Sequence, residues 1–527
     1  MPEYTASFDL SDSQERAAEL GSKPALIERF GIRGLYGYRT ISLASQHAAT
    51  ILIAKNGTGK TTLMGALDAF LKLQLNRLRD LEFSEIFCKI RGYDEEVVLT
   101  HDDLVNFLQP PLEGEFAKLV SRTGIEHPKL FSFLLGDYKT ALDGFYEDYD
   151  HSSLVNVMGR SFGNDPKRAI KACNDTYTSL FQRTISLANL RERIVEAFKD
   201  HEIVYLPTYR RVELALTDDG QGRRRRGRSR PKLSITASGL HTGEIQFGLG
   251  DISDRLAQLN DDIISRSNRG YREISENIIN ELIQGYEVSE TAELPKPDEL
   301  KLFFSRLESG KRLIGPYYTI SAPDFERIYS GIGVPAESRK FLTYFLGKLN
   351  NIINITKEIE QPVGEFISSC NKYLSSIDPS TSLSGEAEHT HISQVDAKAL
   401  KVDRTDLSVH VESVPARAPI SLDALSSGEK QMISLFAKMY LYPKKKIVLI
   451  DEPELSLSID WQRGILVDVL LSPRCEQVIA ITHSPFVFDN SLEPFARTLE
   501  LKISERSDPE LNLKSLDDDS AEDENEG

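Results

Sequence analysis

A glycine-rich segment followed by lysine and threonine carries the clearest chemical information in this sequence. It reads AKNGTGKT and spans residues 54–61. Gly57 and Gly59 would let the backbone curl so that several N–H groups point at phosphate oxygens. Lys60 would bring a full positive charge to the β- and γ-phosphates of a nucleotide, and the Thr61 hydroxyl would bind Mg²⁺. The residues predicted to contact the phosphates are Asn56, Gly57, Thr58, Gly59, Lys60, Thr61 and Thr62.

Two carboxylates far downstream would complete this chemistry. An apolar stretch at 446–450 ends in Asp451 and Glu452. An aspartate at the carboxyl end of a buried strand would hold Mg²⁺ directly or through water. The neighbouring Glu452 points elsewhere and would polarise the water that attacks the phosphate.

A helix N-terminus is a second candidate for phosphate binding. Residues 425–431 read LSSGEKQ and precede a predicted helix at 432–441. The N–H groups of Ser427 and Gly428 open that helix, so they would bind a γ-phosphate.

The flanking sequence supplies the elements that must position the glycine-rich segment. Residues 50–53 are an apolar run typical of a buried strand, and residues 62–67 are typical of the start of a helix. This order of strand, glycine-rich turn, Lys-Thr and helix is that of the phosphate-binding loop. One position departs from the motif, because Ala54 stands where glycine is usual. Its methyl group would cost little with a negative φ and more with a positive φ.

In their order along the chain, these segments resemble the heads of ABC-type ATPases. The elements are Walker A, the LSSGE signature, Walker B with its adjoining glutamate, a D-loop at 456–460 and a switch histidine, His483, after a strand at 477–482. The resemblance covers about residues 25–100 and 396–500. It implies an α/β fold in which N- and C-terminal segments form an ABC-type P-loop ATPase head around a mostly helical insertion.

The resemblance also implies ATP and Mg²⁺ as cofactors and ATP hydrolysis as the activity. Lys60, Glu452 and His483 would be catalytic, and Thr61 and Asp451 would bind the metal. Two copies would sandwich two ATP molecules in a head-to-tail homodimer or a higher homo-oligomer. The nucleotide-binding residues of the signature would be Ser426, Ser427, Gly428 and Glu429.

Two parts of the family pattern have no unique match. The glutamine loop would correspond to Gln74 or Gln109, and neither has a clear motif around it. An arginine near the first strand, Arg33 or Arg39, would contact nucleotide as in SMC-like members, or be an ordinary surface arginine.

The resemblance, together with changes in composition along the chain, implies five segments. Three segments of helical periodicity, at about 166–200, 251–283 and 341–374, would form a helical subdomain or a short antiparallel arm, and they lack the sustained heptads of a long coiled coil. The predicted segments are a flexible lead (1–24), an N-terminal ATPase lobe (25–110), a helical insertion (111–395) with a strand at 202–208 and a basic loop at 218–232, a C-terminal ATPase lobe (396–505) and an acidic disordered tail (506–527).

The long insertion narrows the class of ABC-type ATPase. The signature begins 365 positions after Lys60, because it starts at residue 425. This spacing argues against a transporter and resembles that of RecF- and OLD-like ATPases.

The segments YLPTYRRVE at 205–213 and IQFG at 245–248 resemble anti-phage ATPases of the Septu PtuA type, including retron-associated ones. That family implies a separate HNH nuclease partner, PtuB-like, and, in retrons, a reverse transcriptase with msDNA. Because only a short stretch with an acidic tail follows His483, we expect this chain to lack the Toprim nuclease of OLD proteins, and any nuclease would be a separate chain.

A basic stretch stands out because the chain as a whole carries a net charge of −17. Residues 222–232 contain the lysine Lys232 and six arginines. They would bind nucleic-acid phosphates without sequence specificity, or simply form a solvated loop. The arginines are Arg223, Arg224, Arg225, Arg226, Arg228 and Arg230.

Composition excludes several other classes. The four cysteines lie far apart with no CxxC, which argues against a zinc site and a disulfide framework. The N-terminus is polar and no apolar run approaches the roughly twenty residues of a membrane span, so we expect a cytoplasmic protein without a membrane partner. Two alternatives stay open: a RecF-like DNA repair or recombination ATPase, and a scaffold that binds ATP but barely hydrolyses it. The presence of Glu452 argues against the scaffold.

Overall fold

The computed structural model describes residues 10–55, 57–136, 138, 153–207, 249–284, 293–309, 324–330, 334–375, 397–421, 424–455 and 457–503. The described helices are α1 (Leu10–Gly21), α2 (Lys60–Leu71), α3 (His101–Leu108), α4 (Glu115–Thr123), α5 (His127–Leu135), α6 (Ser153–Ser161), α7 (Pro166–Leu180), α8 (Ile185–Ala197), α9 (Leu249–Ile283), α10 (Pro297–Ser309), α11 (Phe325–Ser330), α12 (Ala336–Leu374), α13 (Ser427–Leu441) and α14 (Ile459–Leu471). The described strands are β1 (Ile27–Leu35), β2 (Arg39–Ala44), β3 (Ala49–Ile53), β4 (Glu85–Ile90), β5 (Val97–Thr100), β6 (His201–Leu206), β7 (Lys398–Val402), β8 (Val409–Ser413), β9 (Ala418–Ile420), β10 (Lys445–Asp451), β11 (Cys475–Thr482), β12 (Ala496–Thr498) and β13 (Glu500–Ile503).

The chain forms two compact units, one of Met1–Gln246 with Lys444–Gly527 and one of Phe247–Pro443. The boundaries predicted from the sequence differ from these and lie at 110/111 and 395/396. The strand predicted at 202–208 explains the first difference. It is β6, which pairs in parallel with β10, so it is part of the first unit.

A five-stranded parallel sheet lies at the centre of the first unit, in the order β12-β3-β11-β10-β6. β3 and β10 pair with opposite edges of β11, although the three strands come from opposite ends of the chain. Their side chains are almost all buried, as expected for strands of a parallel sheet covered on both faces. The predicted α/β fold, assembled from N- and C-terminal segments, is confirmed by this sheet.

A second, antiparallel sheet has the order β13-β2-β1-β4-β5. Helix α2 packs against β1 of this sheet and against β10 and β6 of the parallel sheet. Residues of both sheets, of α2 and of helices α3 to α8 form one hydrophobic core. The first turn of α2 is thereby fixed relative to the ends of the parallel strands.

Gln477 joins the two sheets through a fully buried side chain. Its Oε1 accepts hydrogen bonds from the backbone N–H groups of Leu26 (3.0 Å) and Ile27 (2.8 Å). Its Nε2 donates to the carbonyl of Ile27 (3.0 Å) and to Ser45 Oγ (3.1 Å). One side chain of β11 therefore provides hydrogen-bond partners for four polar atoms at the start of β1 and just after β2.

We expect Gln477→Leu to lower the free energy of unfolding by about 2–4 kcal/mol, because leucine leaves buried N–H and C=O groups without partners. The measurement is the midpoint of urea unfolding of the whole chain. Gln46→Leu is the matched control, because Gln46 is exposed and its replacement should change stability by less than about 0.5 kcal/mol. Equal midpoints for the two variants would show that Gln477 does not join the sheets.

The predicted flexible lead at 1–24 is wrong for its second half. Residues 10–21 form helix α1, which packs against α14 and β3. Ala17 is completely buried, and Gln14 Oε1 accepts a hydrogen bond of 3.0 Å from the N–H of Ser491. Tertiary contacts therefore stabilise a helix whose own sequence is mostly polar.

The second unit is built on two long helices, α9 and α12. They run antiparallel, because Glu281 pairs with Lys348 at 3.0 Å while Gly270 meets Ile352. A Cβ on Gly270 would lie 2.7 Å from Ile352 Cδ1, so glycine permits this close approach. At ~1.5 Å per residue the helices are roughly 50–60 Å long. Two of the three predicted helical segments, 251–283 and 341–374, thus lie in an antiparallel pair with α10 and α13 packed on it. The third, 166–200, instead contributes α7 and α8 to the core of the first unit. None of the described helices has an apolar stretch that is long enough to cross a membrane.

Candidate nucleotide-binding site

The glycine-rich segment forms a loop between β3 and α2, as the motif predicts. Gly57 has a φ of 81° and Gly59 a φ of 93°, in the left-handed region that favours glycine. A Cβ on Gly59 would also lie 3.3 Å from Ile41 Cδ1. Ala54 is not among the described residues with positive φ, so its methyl group is tolerated in the position where the motif has glycine. Thr58 Oγ1 closes the loop by donating to the carbonyl of Lys55 at 2.8 Å.

The parallel sheet brings the two carboxylates to this loop. Asp451 is the last residue of β10 and lies opposite Ile481 of β11, while Thr482 at the end of β11 lies opposite Ile53 of β3. The carboxyl ends of the three strands therefore share one edge of the sheet. Asp451 is buried there, with 2 % of its surface exposed.

Glu452 follows immediately and contacts the loop lysine. Its Oε1 lies 2.9 Å from Lys60 Nζ, and the two side chains are 17 % and 5 % exposed. Its backbone has a φ of 55°, an uncommon value for a residue with a side chain. A hydrogen bond of 2.8 Å from its N–H to the carbonyl of Ile481 holds this conformation. Such backbone strain is frequent in active sites, where it aims a side chain.

His483 lies next to Glu452 and is held by a residue that the sequence analysis did not single out. Its Nδ1 is 3.9 Å from Glu452 Oε1 and 2.9 Å from Glu454 Oε1. Glu454 also accepts from the N–H of His483 at 3.1 Å and from the hydroxyl of Thr482 at 2.8 Å. Lys60, Glu452, His483 and Glu454 thus form a continuous series of polar contacts. The only sequence indication of Glu454 was its place in the turn that follows Asp451.

The signature segment lies in the second unit, at the N-terminus of α13. Ser426 caps the helix by accepting from the N–H of Glu429 (3.3 Å), and Glu429 Oε2 accepts from the N–H of Ser426 (2.7 Å). This reciprocal capping box uses the N–H groups of residues 426 and 429 and leaves those of Ser427 and Gly428 to other acceptors. The side chains of Ser426 and Glu429, both predicted to bind nucleotide, are engaged in the cap.

Lys398 of β7 braces this cap, because its Nζ lies 2.8 Å and 3.0 Å from the two carboxylate oxygens of Glu429. Burial alone would raise the pKa of Glu429, but Lys398 and Ser426 outweigh it and lower the pKa below the usual value. Because the pKa of Glu429 is lowered in the folded state, its contact with Lys398 stabilises the fold at pH values above the ordinary pKa of glutamate. This stabilisation is lost as the pH falls into the acid range and Glu429 becomes protonated.

The two candidate arginines have different surroundings. Arg33 pairs with Glu85 and Glu96 and stacks on Phe87, and the hydrogen bond with Glu85 is the main reason why the pKa of Arg33 is raised. Arg39 bonds the hydroxyl of Tyr38 and begins β2, two residues before Ile41, which contacts the loop glycine. Arg33 is therefore paired with carboxylates, whereas Arg39 lies two residues before Ile41, the strand residue that approaches Gly59 of the phosphate loop.

Neither candidate glutamine gains a clear role. Gln74 Oε1 accepts from Arg77 at 2.7 Å, and Arg77 also bonds Asp68 of α2. Gln109 is exposed, and its carbonyl accepts from Arg183 at 2.6 Å. The glutamine-loop residue stays unassigned.

The two predicted metal ligands fit Mg²⁺ better than a transition metal. The carboxylate of Asp451 and the hydroxyl of Thr61 are hard oxygen donors, and Mg²⁺ in nucleotide sites takes only one or two protein ligands. Among the described residues, no group of three or more His, Cys, Asp or Glu side chains is placed to hold a metal ion. The four cysteines, Cys88, Cys173, Cys370 and Cys475, are free.

Several predicted features lie outside the described residues. They are Asn56 of the loop, Ser456 of the D-loop, the basic stretch with its six arginines and the acidic tail at 506–527.

Comparison with known proteins agrees with the P-loop class that the phosphate loop and the sheet order indicate. Residues 237–489 match the family model described as "AAA domain, putative AbiEii toxin, Type IV TA system". The match covers just under half of the chain and includes the signature, Asp451, Glu452 and His483, whereas the phosphate loop precedes it. No curated protein sequence matches the chain. Together with the phosphate loop and the sheet order, the match indicates an ATPase-type P-loop domain.

Two of the solved structures that match this chain are Smc head domains. One is the Smc head domain with an extended coiled coil from Pyrococcus furiosus, bound to the C-terminal domain of ScpA, with 13% identity and a TM-score of 0.30 over 93% of this chain and 98% of that chain. The other is an SmcHead bound to the C-winged helix domain of ScpA, with 12% identity and a TM-score of 0.30 over 93% of this chain and 100% of that chain. At such scores the fold assignment rests on the strand order and the phosphate loop alone.

Proposed function

We propose that this chain is an ATP hydrolase of the ABC type. The observation that carries the proposal is the 2.9 Å contact between Lys60 and Glu452, because it brings a phosphate-binding cation and a candidate water-activating carboxylate into one pocket. ATP would bind with its β- and γ-phosphates on the N–H groups of the loop and on Lys60. Release of radiolabelled phosphate from ATP by the purified chain tests this function.

The reaction needs the contact to open. Lys60 has to turn to the phosphates, and the released Glu452 then accepts a proton from, or orients, the water that attacks the γ-phosphate. His483 would donate a hydrogen bond to a γ-phosphate oxygen. Thr61 and Asp451 would hold Mg²⁺, which neutralises charge on the β- and γ-phosphate oxygens when bound.

We also propose that two copies complete each site. The signature of one copy would bind the γ-phosphate held by the loop of the other, in a head-to-tail homodimer. The capping box supports this role, because it fixes the first turn of α13 while leaving the N–H groups of Ser427 and Gly428 to a ligand.

The biological role that we propose is control of a separate HNH nuclease, PtuB-like, in bacterial anti-phage defence, including retron systems with a reverse transcriptase and msDNA. Support comes from the Septu-like segments of the sequence and from the matched family, whose description names a toxin of a toxin–antitoxin system. Co-expression with neighbouring genes tests the role. Co-purification of a nuclease whose activity changes with ATP is expected, whereas ATP-dependent binding to DNA ends or gaps without a nuclease would indicate the RecF-like alternative.

Nucleic-acid binding by the basic stretch gives a separate prediction. Replacing Arg223, Arg224, Arg225 and Arg226 with alanine should remove about four phosphate contacts, and thereby reduce the slope of log affinity against log salt by about 3–4. Fluorescence anisotropy with single-stranded and duplex oligonucleotides measures this slope, and Arg497→Ala, an exposed arginine elsewhere, is the control. Unchanged affinity at low salt would exclude the stretch as the binding site.

A further inference from the structure

Glu454 is buried without the usual cationic partner of a buried carboxylate. It is 7 % exposed, and within the described part of the chain its ion-pair partner is His483 rather than a lysine or arginine. Burying a carboxylate is costly unless hydrogen bonds compensate. Among the described residues, the hydrogen bonds to the carboxylate come from two adjacent residues, Thr482 and His483.

These contacts fix both the backbone and the ring of His483. Oε2 takes the hydroxyl of Thr482, and Oε1 takes the backbone N–H of His483. An ionised carboxylate only accepts hydrogen bonds, so Nδ1 of His483, at 2.9 Å, donates to it. The other ring nitrogen, Nε2, is then the one that can reach a phosphate oxygen. The ring itself is about half exposed, so without this contact its orientation would be free.

A second residue holds the backbone on which Glu454 lies. Gln462 of α14 donates from Nε2 to the carbonyls of Glu454 (3.3 Å) and Leu457 (3.0 Å). Its Oε1 accepts from the hydroxyl of Ser484 at 2.9 Å. The turn after β10 and the turn after β11 are therefore tied together on both sides of His483.

We propose that Glu454 is a positioning residue that acts on ATP hydrolysis through His483. The inference rests on the proposed ATPase function and deepens it. Glu454 selects which imidazole nitrogen faces the γ-phosphate and holds the ring beside Glu452, 3.9 Å away. Nucleotide binding itself depends on the phosphate loop and Lys60, and the hydrogen bonds and ion pair that the Glu454 carboxylate makes with described residues involve Thr482 and His483 instead.

The test is a double-mutant cycle on ATP turnover with Glu454→Ala, His483→Ala and the double variant. We expect Glu454→Ala to lower kcat about 10- to 100-fold, since a misplaced hydrogen-bond donor loses most of its effect on the transition state. The KM for ATP should change by less than about threefold. The double variant should be no slower than His483→Ala alone, because both substitutions remove the same interaction. Glu493→Ala, an exposed glutamate, is the control.

Glu454→Gln distinguishes positioning from mere filling of space. The amide keeps an oxygen for His483, and its NH₂ group can donate to the hydroxyl of Thr482, so turnover should return to within about fivefold of the unsubstituted protein. Should Glu454→Ala fail to fold, Glu454→Asp replaces it, because the shorter side chain cannot reach Thr482 and His483 together. Losses that multiply in the double variant, or full turnover of Glu454→Ala, would overturn this inference and leave the ATPase function intact. Absence of turnover in the unsubstituted protein would overturn both.

Discussion

Glu452→Gln is expected to lower steady-state ATP turnover at least ~100-fold while ATP stays bound. Glutamine has the same shape but cannot accept the proton of the attacking water, and loss of a well-placed general base costs typically 10²–10⁴-fold. The substitution also removes the ion pair with Lys60. Lys60 no longer has to leave a carboxylate to reach the phosphates, so ATP affinity should rise rather than fall.

Two measurements check this prediction. Phosphate release gives the turnover, and light scattering after size-exclusion chromatography with Mg²⁺ and ATP should show the variant trapped as a dimer. Glu493→Gln is the control for a charge change at an exposed site of the same unit. Turnover by Glu452→Gln equal to that of the unsubstituted chain would exclude Glu452 as the catalytic base.

Lys60→Ala should strongly weaken ATP binding. A charged hydrogen bond to phosphate contributes roughly 1.5–3 kcal/mol, which corresponds to a Kd increase of about 10- to 150-fold. The actual loss should lie at the upper end, because Lys60 is only 5 % exposed and its attraction to the phosphates is therefore weakly screened by solvent. Titration with a fluorescent ATP analogue measures the Kd.

Lys55→Ala is the matched control for that experiment, because Lys55 is an exposed lysine of the same loop. Its removal should change the Kd by less than about threefold. Circular dichroism and the unfolding midpoint must show that Lys60→Ala is folded. A folded Lys60→Ala protein with the Kd of the unsubstituted chain would place the nucleotide outside this loop.

The sheet edge could be predicted from the sequence because each part of it is a local pattern. The apolar runs before Ala54, Asp451 and His483 are short and continuous, as in buried parallel strands. Parallel strands bring their carboxyl ends to one edge, so motifs separated by almost four hundred residues were expected to meet. The contact between Lys60 and Glu452 agrees with that expectation.

Other features depend on tertiary contacts that no local pattern contains. β6 joins the sheet by pairing with β10, and Lys446 reaches Glu202 at 2.5 Å over 244 positions. Helix α1 is mostly polar and is stabilised by packing around Ala17, so its sequence resembled a flexible lead. Glu454 follows β10, whereas its partners Thr482 and His483 lie at the end of β11. The spacing of residues around Asp451 therefore could not predict that Glu454 contacts His483.

The most direct test of the proposed mechanism is a structure of the chain with Mg²⁺ and a non-hydrolysable ATP analogue. It should place Lys60 Nζ within about 3 Å of a β- or γ-phosphate oxygen. The distance from Lys60 to Glu452, 2.9 Å in the present structure, should have increased beyond hydrogen-bonding range, with Glu452 turned towards the γ-phosphate. A bound triphosphate that leaves the contact between Lys60 and Glu452 unbroken would contradict the mechanism.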